Sequence, residues 1–187
     1  TRTDTGPGAP LADLGTYDVV LIGDVEASSL PPRALAQVLE LVTRSGRGLG
    51  LLGGLRTLSG GDGDATALRS ILPMGTPARD KEEKVAFELT PAGRAHAICR
   101  LRPEPDANLA AWSSLSPALS ASRIASPGPA AEVLVKATDG APLLVVQEAG
   151  RGRTASIGFD ATWNWSFSAD EGAELTRRFW RQVVLWL

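Results

Sequence analysis

Residues 17–54 read as a strand, a helix and a second strand joined by short connections, and that order constrains the fold more than any other feature of the chain. The run Tyr17-Asp-Val-Val-Leu-Ile22 is almost continuously apolar and closes on Gly23-Asp24. It predicts a strand buried on both faces of a parallel sheet. Pro31-Pro32 then opens a helix whose Leu35, Val38, Leu39 and Val42 share one face, and Gly46 supplies the stop. Residues 48–52 form a second short apolar strand that ends in Gly53-Gly54. Two parallel strands with a crossover helix make a βαβ unit, which is right-handed in nearly all proteins, so the expected class is α/β.

Beyond this unit, the Gly- and Asp-rich residues 59–64 predict a loop, with Asp64 capping a short helix over 68–72 that Pro73 ends. Residues 81–89 predict a strand, and residues 103–129 predict mostly turns around Trp112 and Leu115. Three β-rich runs follow, at 132–137, 142–148 and 153–159. Asp139-Gly140 and Gly150-Arg-Gly152 join them, as in an antiparallel meander. Residues 171–187 predict a closing helix with Phe179, Val183 and Trp186 on one face. Residues 1–16 read as a flexible lead-in, leaving 17–187 as one domain.

The net charge of −2 gives no electrostatic reason for a nucleic-acid partner. Sixteen of the nineteen basic residues are Arg, but they are interleaved with acids and predict a solvated surface. The longest apolar runs fall far short of the ~20 residues a membrane helix needs, so no direct membrane insertion is expected and the segment itself reads as soluble. Cys99 is the single cysteine, which excludes an internal disulfide. The apolar ending at Leu187 suggests a piece of a longer polypeptide.

The core 17–54, together with Gly93-Arg-Ala-His96, Pro142-Leu-Leu-Val-Val-Gln147, Gly150-Arg-Gly-Arg153, Asp160-Ala-Thr-Trp-Asn-Trp165, Arg178-Phe-Trp-Arg181 and Trp186-Leu187, resembles the class I glutamine amidotransferase-like domains. The likeness is to those of large bacterial membrane-anchored proteins that also carry a von Willebrand factor type A domain. It implies a three-layer, flavodoxin-like sheet of mainly parallel strands flanked by helices, with an antiparallel β extension near the C-terminus. It also implies an extracytoplasmic location, and partners that are proteins or other domains of the same polypeptide. Such domains begin with a further strand and helix, which this chain does not show before Tyr17.

An amidotransferase of that class needs a Cys nucleophile on a strained strand-to-helix turn, then His and Glu. The matching turn here, Gly53-Gly-Leu-Arg-Thr57, offers backbone amides and no thiol, and no histidine follows Cys99. The expected protein is therefore a non-catalytic recognition or scaffold module without cofactor or metal. Gly53, Gly54, Arg56 and Thr57 remain as a candidate ligand-binding turn. His96 and Cys99 are the residues of an improvised dyad; the plainer reading is a buried cysteine and a histidine bonded to backbone. Asp62 and Asp64 supply too few oxygens for calcium, which takes about six to eight. Arg153 could pair with Asp160. Trp163 and Trp165, read as extended, would place both rings on one side, where with Asp160 they could serve recognition; core packing is the competing reading. Two further functions stay open: an amidotransferase or amidohydrolase with a displaced nucleophile, and a carbohydrate-binding domain using Trp112, Trp163 or Trp165.

Overall fold

The computed structural model describes residues 14–23, 25, 30–53, 70–73, 77–78, 84–119, 121–124, 127–159, 161–168 and 170–187. Strand β1 (Val19–Ile22), helix α1 (Pro32–Ser45) and strand β2 (Gly48–Leu52) form the βαβ unit, with Val19 opposite Gly48 in parallel register. Pro31 caps the helix and Gly46 ends it at φ 74°, a left-handed conformation in which its N–H reaches the Leu41 carbonyl.

Two minor strands, β3 (Pro77–Ala78) and β5 (Arg123–Ile124), pair with each other apart from the main sheet. Strand β4 (Phe87–Leu89) leads into the short helix α2 (Pro91–Ala95), and helix α3 spans Pro105–Ser114. The strands β6 (Glu132–Ala137), β7 (Pro142–Ala149) and β8 (Gly152–Ile157) make the expected meander, and α4 (Gly172–Trp186) closes the chain. One sheet takes the order β1-β2-β8-β7-β6-β4. Its β1–β2 and β2–β8 pairings are parallel, and the other three are antiparallel.

The protein is thus a mixed α/β structure with helices flanking one six-stranded sheet, but that sheet is not mainly parallel. The meander is no appendage, because β8 inserts beside β2 and carries β7 into the middle, where Leu143, Leu144 and Val145 are fully buried. Strand β1 is correspondingly an edge strand. Leu21 is 41% exposed, against the expectation of burial on both faces. An apolar run alone does not tell a central strand from an edge strand.

Residues 105–114 are helical where turns were expected. Asn108, Ala111 and Trp112 are buried on the inner face of α3, and Pro105 starts it at a position where its missing N–H costs nothing. Of the described residues 84–89, the last three form a strand, while Val85 makes an isolated bridge to Ala118. The helix expected over 68–72 lies largely outside the described residues; Ser70–Pro73 is turn.

Side chains of α1 pack with Leu49, Leu51, Ile71, Ile124 and Val145 on one face of the sheet. The other face is larger and aromatic. Phe87, Trp112, Phe159, Trp165 and Phe179 form one contiguous cluster, with ring centroids 5.1 to 6.1 Å apart.

Candidate functional site

In a sheet with parallel strands, chemistry gathers where those strands end, because loops and amides converge at the carboxyl edge. Here that edge lies past Leu52 and Ile157, which are register partners. Backbone fills it at Gly53. The Gly53 N–H donates to the Ile157 carbonyl, and the Ser122 N–H donates to the Gly158 carbonyl across the strand ends. A Cβ on Gly53 would come within 2.9 Å of the Ser122 Cβ and 3.0 Å of the Gly158 Cα. Gly53 therefore serves close packing, and its amide is already committed rather than aimed at an oxyanion. Gly54, Arg56 and Thr57 lie outside the described residues, as do Asp62, Asp64 and Asp160. The proposed Arg153–Asp160 pair falls with them.

His96 sits at the opposite end of the sheet. It follows α2, which Thr90 caps through its side-chain oxygen, so Pro91 and Gly93 lie within a helix. His96 then caps a 3-10 turn, Ala97–Cys99, and its Nδ1 accepts the Ile98 N–H at 3.2 Å. Its ring stands edge-on to Trp186, with centroids 5.3 Å apart, and the Arg153 guanidinium lies 5.3 Å from the centre of the same indole. Arg153 pairs with Gly48 at the start of β2. The Trp186–Leu187 end of α4 thus lies at the start of β2, where Leu187 packs against Gly48, and Gly53 follows the other end of that strand. Burial holds its pKa below the usual 6.5, Glu132 opposes that shift and Arg153 adds to it. One ring nitrogen is thus committed to backbone, and the ring packs on Trp186.

Cys99 is completely buried, and burial pushes its thiol pKa up from 9.0 to about 12. Desolvation of the charged form is the cause, and among the described residues no neighbouring cation offsets it. Its carbonyl is held by two donors, Asn108 Nδ2 at 3.0 Å and Trp112 Nε1 at 2.8 Å. Below pH 9 the thiol is protonated in both folded and unfolded chains and has no effect on stability. Between pH 9 and 12 only the unfolded chain ionises, so this group should remove up to about 1.4 kcal/mol of stability per pH unit as pH rises. Urea titrations across that window should show a shallower decline for Cys99→Ala, and a thiol reagent should label the wild type only after unfolding.

The two tryptophans part company. Residues Thr162–Phe167 form a 3-10 helix rather than an extended segment, so the rings do not share a side. Trp165 is buried at 1% exposure, whereas Trp163 is 62% exposed. Trp163 meets Phe167 edge-on, with centroids 6.3 Å apart, and Phe167 is itself 79% exposed. Sequence reading missed Phe167, although its position four residues after Trp163 would have paired them on a helix. Trp112 is buried in the core, so of the three tryptophans considered for sugar stacking only Trp163 is available. Among the described residues no cluster of His, Cys, Asp or Glu could hold a metal ion, and no helix is long and apolar enough to cross a membrane.

No protein-family model matches the chain, and no curated protein matches it significantly. Solved structures do. The cytoplasmic protein STM3548 from Salmonella typhimurium superposes with a TM-score of 0.69 at 21% identity, over 93% of this chain and 73% of that one. The cytoplasmic protein STM1381 from Salmonella typhimurium LT2 gives a TM-score of 0.67 at 21% identity, over 92% and 72%. A β-galactosidase from Rahnella sp. R3 matches with a TM-score of 0.56 at 15% identity, over 93% of this chain but only 23% of that enzyme. At these identities the likeness is one of fold.

Proposed function

We propose that this domain is a non-catalytic, class I glutamine amidotransferase-like module that recognises a protein partner or another domain of the same polypeptide. The observation that carries the reading is the separation of its parts. The turn where a nucleophile would stand is packed with backbone at Gly53, while the single thiol is buried and held protonated. Acyl transfer needs a thiolate beside a positioned base, and a buried thiol whose pKa is pushed up to about 12 is a poor source of one. What the molecule offers instead is an apolar surface, the exposed Trp163–Phe167 pair beyond the carboxyl end of β8. Exposed aromatics of this kind are enriched where proteins meet. The extracytoplasmic placement belongs to the same reading and rests on the resemblance alone; the two Salmonella proteins of similar fold carry the word cytoplasmic in their names.

Purified protein should release no ammonia from glutamine above the blank. Turnover that disappears in Cys99→Ser would overturn the proposal. The exposure of Trp163 also favours a second reading, a carbohydrate-binding surface. Oligosaccharides that quench tryptophan fluorescence in the wild type and not in Trp163→Ala would establish it, and flat titrations would remove it.

A further inference from the structure

Three arginines line one small cavity on the aromatic side of the sheet, and among the described residues no carboxylate lines it with them. The cavity measures about 190 Å³; Arg94, Arg100 and Arg102 surround it, Pro103 and Pro105 supply apolar wall, and Asn108 borders it. Arg102 is also paired with Glu171, the N-cap of α4. Arg94 and Arg100 are exposed and have no acidic partner among the described residues. Glu104 and Asp106 are nearby in sequence but exposed, and neither lines the cavity.

The backbone that carries Arg100 and Arg102 is fixed. Asn108 Oδ1 accepts the Leu101 N–H at 2.7 Å and the Arg102 N–H at 3.0 Å, and its Nδ2 donates to the Cys99 carbonyl. Trp112 Nε1 donates to that same carbonyl, and Gln182 Nε2 to the carbonyl of Arg100. Like charges gathered on one cavity repel, and the pinned backbone holds the Cα ends of Arg100 and Arg102 beside it. With Glu171 counted, the excess among the described residues is two positive charges.

We propose that this cavity binds the dianionic phosphate of a phosphomonoester. A planar guanidinium matches two phosphate oxygens at once, and three of them complement a tetrahedral dianion better than a planar monoanion. The volume is below that of sites enclosing a drug-sized ligand, so only the phosphate end enters. This inference is independent of the recognition role and of the Trp163 surface.

Calorimetric titration of the purified protein with inorganic phosphate, phenyl phosphate and acetate tests it. Saturable binding of phenyl phosphate is expected, with a Kd on the order of 1 mM and weaker at higher salt. Arg94→Gln and Arg100→Gln should each loosen it about tenfold while leaving the thermal melt in place, since both side chains are exposed. Inorganic phosphate binding equally well would support the phosphate group as the determinant. Three results would overturn the proposal: no saturable binding of phenyl phosphate, acetate binding as tightly, or affinity indifferent to both arginine substitutions.

Discussion

Trp165→Ala is expected to destabilise the fold by about 4 kcal/mol, while Trp163→Ala, only two positions away, should change stability by less than about 0.5 kcal/mol. Trp165 touches Phe87, Trp112, Phe159 and Phe179, so its loss opens a large void in the middle of the aromatic cluster. Such a void forfeits both transfer free energy and ring contacts that the neighbours cannot rebuild. Trp163 is mostly in water already and contributes one edge contact to Phe167. Urea unfolding followed by circular dichroism measures both, and for a domain of this size the larger effect corresponds to a melting temperature lower by roughly 10 °C. Equal losses in the two variants would contradict the burial described above.

Asn108→Ala should cost about 3 kcal/mol or more. The side chain is only 5% exposed and serves three backbone groups, the N–H groups of Leu101 and Arg102 and the carbonyl of Cys99. Alanine leaves the two amides without this acceptor, although the carbonyl keeps Trp112 Nε1. Asn108→Asp separates the contributions. It retains acceptors for both amides and loses the donor to Cys99, while its new charge borders the cavity that Arg94, Arg100 and Arg102 line, so it should cost less than Asn108→Ala. Thermal melts of the two variants against the wild type provide the measurement. A melt unchanged in Asn108→Ala would mean that the 99–102 segment is held by other contacts.

The parts of this fold legible in the sequence were those with strong local punctuation. Pro31-Pro32 and Gly46 bracket α1, and Asp139-Gly140 and Gly150-Arg-Gly152 mark the meander's two turns. The order of strands in the sheet was not legible, because β8 chooses β2 as its neighbour through tertiary packing and leaves no local mark. That choice makes the sheet mixed and puts β1 at its edge. Helix α3 escaped because its flanking prolines and serines read as turn formers, and only its buried inner face reveals it.

The candidate site was legible in the same uneven way. The missing nucleophile at Gly53 follows from residue identity alone. The 3-10 winding of Thr162–Phe167, which separates Trp163 from Trp165 and gives it Phe167 instead, does not. Nor does the meeting of Arg94 with Arg100 and Arg102, which depends on how α2 and the turn after it fold back around Pro103 and Pro105.

The pairing of β2 with β8 has a kinetic consequence. Gly48 finds Arg153 across more than a hundred intervening residues, whereas β6, β7 and β8 zip together through tight turns. Closing that long loop carries an entropic penalty before its contacts return anything, so the hairpins assemble early and the βαβ unit joins them late. Mutations in β2 should therefore act mainly on the unfolding rate, and mutations in β7 on the rate of refolding.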